Sequence, residues 1–282
     1  MATPDPRPIG LLDSGVGGLS ILNEVRQQLP NEDVLYFADQ RHVPYGPRPK
    51  EQIRSFSRAI AEFLLGQGAK AIVLACNAAS AASLYHLRET FPDTPFVGME
   101  PAVKPAALNT QTGTIGVLTT RVTYQGELFA SVVDRFAAGV EVAAAICPEF
   151  VTLVEAGQLD SLETKSIVRR HIEPLLAAGA DQLVLGCTHF PFLAPIIQEI
   201  SGPTVTIVDP SPAVARQTGR VIAEQRNHPD HRGRVTYFTS GSVDSFFNVA
   251  QHLLLEAISV ERVKSVHWDA SQRVEFHHTI DA

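Results

Sequence analysis

The stretch LLGQGAKAIVLACN (Leu64–Asn77) returns downstream as LLAAGADQLVLGCT (Leu175–Thr188), with identity at half of the fourteen positions. Each copy passes from an apolar helical pattern through a Gly-Ala turn into a short Ile/Val/Leu run, and each run leads to a cysteine. A compact apolar run bounded by turn residues reads as a buried strand. Strands alternating with amphipathic helices make a mostly parallel sheet. Working outward, IGLLDSG (Ile9–Gly15) resembles IGVLTTR (Ile115–Arg121), and Glu100-Pro101 resembles Asp209-Pro210. Each acidic-Pro pair reads as a helix start, with the acid as cap and Pro in the first turn. Three matches in the same order, at nearly the same separation, describe two related α/β halves.

The remaining segments fit that plan. Leu19, Leu22, Val25 and Leu29 recur at helical spacing, as do Ile53, Phe56, Ile60 and Phe63, while Val34–Ala38 reads as a strand. The expected fold class is α/β, with two pseudo-symmetric α/β domains, mostly parallel sheets and an active site in the cleft between them. The first domain is expected over 1–98, completed by a return of 209–282, and the second over 99–208. In that return, 214–224 and 246–257 read as helices, Val235–Phe238 and Val263–Val266 as strands, and RNHPDHRGR (226–234) as a solvated loop.

Composition narrows the function. A chain of 282 residues with 45% apolar and 19% charged residues has enough material for a sizeable core and is not a disordered segment. No apolar run approaches the roughly 18 residues that span a bilayer, and MATPDPRPIG lacks the basic start and apolar core of a secretory signal. Membrane association and export are therefore not expected, and the expected location is cytoplasmic. A net charge of -7 without a basic stripe argues against nucleic acid. The three cysteines, Cys76, Cys147 and Cys187, are widely spaced and odd in number, which disfavours a disulfide framework or a zinc site; no metal is expected.

Position distinguishes the cysteines. Ligands of open parallel sheets bind beyond the carboxyl ends of strands, where the repeat puts Cys76 and Cys187, one in each half. Two halves facing across a cleft would bring these thiols to one ligand from opposite sides, as stereoinversion requires: one base removes a proton and an acid on the other face returns one. A thiol has a reference pKa of about 8.5, so both protonation states are accessible. Asp13, at the end of the first strand, can lie beside Cys76. His189 can exchange protons with Cys187, or can equally be a helix cap or a packed residue. Cys147, before Pro148, has no counterpart in the repeat. A small zwitterion also needs donors, and Ser14 with the glycines after it, Tyr45-Gly46, Asn77-Ala78 and Thr188-His189 fall at turns that offer backbone N–H groups. Tyr45, between Pro44 and Pro47, can instead pin a rigid loop.

Other classes fit less well. The glycines of DSGVGG lack the lysine of a phosphate loop and the spacing of a dinucleotide site. A hydrolase or transferase with Cys187 as nucleophile and His189 as base leaves Cys76 and the repeat unexplained. A pyridoxal-phosphate enzyme needs a Schiff-base lysine, and none sits in a strand-end turn. A two-lobed binding protein has no use for paired thiols.

DSGVGG (Asp13–Gly18), VPYG (Val43–Gly46), ACNAAS (Ala75–Ser80), MEPAVKPA (Met99–Ala106) and GCTHFP (Gly186–Pro191) together resemble the glutamate racemases of the aspartate/glutamate racemase superfamily, in order and over nearly the whole chain. The resemblance implies interconversion of L- and D-glutamate without pyridoxal phosphate, metal or other cofactor, supplying D-glutamate for peptidoglycan. It assigns Cys76 to the proton of the D enantiomer and Cys187 to that of the L enantiomer, with Asp13 and His189 assisting. Glu155, in FVTLVEAG (Phe150–Gly157), matches a further acidic position near the second thiol. Racemases of this kind are often homodimers. Two departures stand out. Ala78 replaces the usual threonine after Asn77, and Phe190 stands where tyrosine is common, so the resemblance implies that two hydroxyls near the substrate are lost.

Overall fold

The computed structural model describes residues 4–276. Eleven strands are described: β1 Ile9–Asp13, β2 Val34–Ala38, β3 Ala71–Leu74, β4 Phe96–Val97, β5 Thr114–Thr119, β6 Glu141–Ile146, β7 Gln182–Leu185, β8 Thr206–Val208, β9 Val235–Thr239, β10 Val263–Trp268 and β11 Val274–Phe276. They form a seven-stranded sheet, β11-β10-β9-β2-β1-β3-β4, and a four-stranded sheet, β6-β5-β7-β8. Every pairing is parallel except β10 with β11. The expected α/β class with mostly parallel sheets is therefore found.

The repeat is visible in the topology. β2-β1-β3-β4 and β6-β5-β7-β8 have the same order, and Ile9 opposite Ala71 has its counterpart in Ile115 opposite Gln182. Two glycines make the equivalence physical. A Cβ on Gly10 would lie 2.7 Å from Ile72 Cδ1 and 3.2 Å from Leu64 Cδ1; one on Gly116 would lie 2.6 Å from Leu183 Cδ2 and 3.1 Å from Leu175 Cδ1. Both obstacles are paired positions of the fourteen-residue repeat, so each helix crosses its strand on a seat that only glycine permits. The Gly-Ala turns agree as well: Gly68 and Gly179 end their helices with φ of +87° and +90°, the left-handed conformation that glycine adopts at a helix C-terminus.

β1, β3, β5 and β7 are buried along their whole length because helices cover both faces. Alternate residues feed different cores. Ile9, Leu11 and Val73 join Leu118, Leu183 and Leu185 in one cluster, so one face of each sheet contributes to a shared core. Leu12, Ile72 and Leu74 pack on the far side of the first sheet, and Ile115, Val117 and Val184 on the far side of the second.

Several local expectations change. The helices expected at 214–224 and 246–257 are Ser211–Val221 and Val243–Leu253; the second begins early because the Ser242 hydroxyl accepts the Ser245 N–H. Glu100 caps nothing: Ala102 precedes the helix Val103–Asn109, and Glu100 instead faces Arg135 at 3.8 Å. Asp209 does accept the Ser211 N–H at 2.8 Å. The 226–234 segment carries no regular element but is anchored: Asn227 is buried and its N–H donates to Glu32, which also holds the buried Lys70 ammonium at 2.6 Å. No helix among the described residues is long and apolar enough to cross a membrane.

Candidate active site

Both strand-end thiols line one cavity of about 360 Å³. Their backbones leave the sheets in the same way. The Ala75 N–H donates to Leu12 O at 2.8 Å, and the Gly186 N–H, one repeat later, to Leu118 O at 2.7 Å. Cys76 then caps the helix Asn77–Thr90, while Cys187 leads into a tight turn before the 3-10 segment Phe190–Leu193. Cys147 is fully buried outside the cavity lining, with its Sγ 3.4 Å from Ala145 O.

The surroundings of the two thiols differ. Cys76 faces Ser14 Oγ at 3.8 Å, and Asp13 ends the adjoining strand β1. Burial first, and then the Asp13 charge, push the Cys76 thiol well above its ordinary value; the Ala79 N–H at the helix start opposes this. Asp13 is itself fully buried, and burial raises its carboxyl against the pull of His189. Its Oδ2 accepts the Gly15 and Gly18 N–H groups at 3.2 and 2.8 Å, and its Oδ1 has no protein partner.

Cys187 sits in a relay. His189 Nδ1 lies 3.6 Å from its Sγ, and His189 Nε2 lies 2.7 Å from Glu155 Oε1. Burial pulls the imidazole down, but the hydrogen bonds to Cys187 and Glu155 outweigh it and leave His189 well above the ordinary histidine value. An imidazolium beside the sulfur favours the thiolate. His189 stands at the cap position of the 3-10 segment and is buried, but its side chain makes no cap bond and lies between Cys187 and Glu155.

The DSGVGG turn serves the site in an unexpected way. Three of its N–H groups are taken up within the protein: those of Gly15 and Gly18 go to Asp13, and that of Val16 goes to Glu155 Oε1 at 2.7 Å. The glycines are clearances. A Cβ on Gly15 would fall 1.9 Å from Glu155 Oε1, one on Gly17 2.3 Å from His189 Nδ1, and one on Gly18 2.8 Å from the Asp13 Cβ. The turn is where functional side chains of both halves pass the backbone.

Ser14, Tyr45, Gly46, Ala78 and His189 line the cavity with the thiols. The Tyr45 hydroxyl donates to Asp39 Oδ2 at 2.7 Å, so its ring, rather than its hydroxyl, serves the cavity. Asn77 and Thr188, equivalent residues one place after each cysteine, are buried with side-chain polar atoms that have no protein partner. Unpaired buried groups are costly; both residues adjoin the thiols in sequence, but neither lines the cavity. Phe190 is fully buried against Phe150, ring centroids 5.1 Å apart, and does not line the cavity; its missing hydroxyl therefore does not touch the substrate space. Thr120 does line it, with its Oγ1 3.1 Å from the Thr123 hydroxyl. The repeat carried that signal, since it pairs Thr120 with Ser14.

Residues 9–218 match the Asp/Glu/Hydantoin racemase family. The chain belongs to that family. Among relatives, a glutamate racemase of Roseiflexus sp. (strain RS-1) is 46% identical over 265 residues, which cover 93% of this chain and 97% of that protein. Glutamate racemase isoform RacE1 from Bacillus anthracis superposes with a TM-score of 0.81 at 34% identity, over 92% of this chain and 97% of that one. Escherichia coli glutamate racemase, solved with L-glutamate and the activator UDP-MurNAc-ala, gives a TM-score of 0.81 at 31% identity over 96% of this chain and all of that one. The two-domain α/β fold expected from the repeat is thus that of a racemase family.

Proposed function

We infer that this chain interconverts L- and D-glutamate by moving a proton at Cα between Cys76 and Cys187, with neither pyridoxal phosphate nor metal, and so supplies D-glutamate for peptidoglycan. The observation that carries the mechanism is the pair of thiols at equivalent strand ends on one cavity. In the L-to-D direction the Cys187 thiolate takes the Cα proton and becomes a thiol. The C–H electron pair stays on a planar carbon conjugated with the substrate carboxylate. Cys76 gives its S–H proton to the opposite face and becomes the thiolate. The reverse direction exchanges the roles. Asp13 tunes Cys76, and His189 with Glu155 tunes Cys187. Ser14, Tyr45, Gly46, Asn77, Ala78, Thr188 and His189 contact the substrate, Asn77 and Thr188 through the backbone N–H groups of their turns.

The reading extends to organisation. Residues 1–98 with 209–282 form one domain and 99–208 the other, with the substrate between them; the assembly is a homodimer and the location cytoplasmic. Incubation with L-glutamate in D2O tests the chemistry through chiral chromatography and mass spectrometry. Two opposed bases put solvent deuterium into D-glutamate first, with little in early recovered L-glutamate. Equal early labelling of both enantiomers points to one shared base and overturns the mechanism. Sedimentation equilibrium tests the dimer.

A further inference from the structure

Two adjacent residues that follow β2 reach both arms of the cavity, and neither lines it. Asp39 is fully buried and its carboxylate is surrounded by donors from three segments. Ser240 Oγ and Trp268 Nε1 donate to Oδ1 at 2.7 and 2.9 Å, the Tyr45 hydroxyl donates to Oδ2 at 2.7 Å, and His42 Nδ1 lies 2.9 Å from Oδ2. Gln40 turns the other way. Its Oε1 accepts the Thr239 hydroxyl at 2.9 Å, and its Nε2 donates to Glu155 Oε2 at 3.3 Å. Thr239 and Ser240 thus stand behind the two side chains from the end of β9, and Trp268 from the end of β10. All three lie beyond the residues 9–218 matched to the family.

We propose that Asp39 and Gln40 are a pair of positioning residues, braced by the C-terminal strands, that divide the work: Asp39 fixes the Tyr45-Gly46 loop that binds substrate, and Gln40 fixes Glu155 and through it the His189–Cys187 pair that moves the proton. The proposal rests on the functional reading above and adds to it the source of the site's alignment. The physical basis is the number of constraints. A buried carboxylate with donors on both oxygens has one low-energy orientation, and its loss frees the loop without touching either sulfur. Gln40 occupies the one Glu155 oxygen that His189 and Val16 leave open. It thereby fixes the carboxylate's rotation and the imidazole's aim.

The test separates binding from chemistry. Asp39→Asn, Tyr45→Phe and Ser240→Ala raise KM for both glutamate enantiomers, by about five- to tenfold for one lost hydrogen bond, and leave kcat nearly unchanged. Gln40→Leu and the more peripheral Thr239→Val lower kcat by a similar factor at unchanged KM. Alkylation of Cys187 by iodoacetamide, followed by mass spectrometry of its peptide, needs no substrate. It slows in Gln40→Leu, where the imidazolium is less well held, and keeps its rate in Asp39→Asn. A merely structural role would move kcat, KM and thiol reactivity together in both sets, in step with thermal unfolding, and would overturn the division. Ser240→Ala and Thr239→Val keep the question open to refutation if Asp39→Asn does not fold. If the unsubstituted chain fails to racemise glutamate, the functional reading falls, while the alkylation contrast still decides the Gln40 arm.

Discussion

The two thiol sites are built on one backbone plan and charged in opposite ways. In the first half a carboxylate ends the strand beside Cys76. In the second half Thr119 occupies the place of Asp13 beside the Cys187 strand, and the charged partners come from elsewhere, His189 from the turn and Glu155 from the helix Pro148–Glu155. The first arrangement raises the pKa of its thiol, and the second places against its sulfur an imidazole whose own pKa is raised. The shared backbone plan supplies the equivalent geometry, and the different residues around the strand ends supply the different charge.

Loss of either thiol is the severest test of this contrast. Cys76→Ser and Cys187→Ser each lower racemisation about 10³-fold, in line with loss of a positioned acid or base. Cys147→Ser, whose sulfur lies outside the cavity, stays within about twofold by the same criterion. A chiral assay in both directions checks all three, and full activity in either strand-end variant removes the two-thiol mechanism. A finer test uses pH. Enantiomers have equal free energy, so kcat/KM is the same in both directions at every pH, and asymmetry can appear only in kcat and KM separately. Because burial and Asp13 push Cys76 up, D-glutamate, which needs the Cys76 thiolate, should show a rise in kcat with pH that Asp13→Asn moves to lower pH. A D-glutamate kcat profile that Asp13→Asn leaves in place would mean that Asp13 does not act on the Cys76 thiol.

Smaller effects sharpen the picture at single residues. Ala78 lines the cavity beside the unpaired Asn77 amide. Restoring a hydroxyl with Ala78→Thr should lower KM for glutamate several-fold, part of the roughly 1.5–3 kcal/mol of a hydrogen bond to a charged group. An unchanged or raised KM indicates that the turn has packed around alanine. Asp13→Asn should cost activity but raise Tm at neutral pH by a few degrees, about 1 kcal/mol for a domain of this size. The sign follows from the raised carboxyl of Asp13. A group whose folded pKa exceeds its unfolded value stabilises the fold in acid and loses that contribution as pH climbs through the folded value. The Tm advantage of the variant should accordingly shrink on acidification, and a constant gap would place its origin elsewhere.

Much of this was legible because the repeat fixes strand order, register and the two cysteines together, and glycine seats such as Gly10 and Gly116 constrain sequence and packing at once. The approach of His189 to Cys187 follows from two residues of separation in a turn. What escaped depends on partners distant in sequence. Nothing local shows that the Val16 N–H is taken up by Glu155, 139 positions away. Glu100 and Asp209 look equivalent in sequence but meet different neighbours, and only Asp209 has a serine two residues on to receive. The 226–234 stretch reads as solvated from its charges, yet the buried Glu32 and Lys70 give it an anchor that composition cannot announce.

The order of strands also sets an order of assembly during synthesis. The four strands of the smaller sheet lie in one continuous stretch from Thr114 to Val208 and can pair as soon as that stretch has left the ribosome. The larger sheet must wait. β2 keeps an open edge until Val235–Thr239 is made, and an unpaired strand edge is a template for wrong partners. The nascent chain thus carries a closed second half beside an unfinished first half, and β9 and β10, which emerge later, bring Thr239, Ser240 and Trp268 to the residues that align the active site. Competence waits for β9 and β10, so a chain cut before Val235 can keep both cysteines and still lack the bracing that makes them act together.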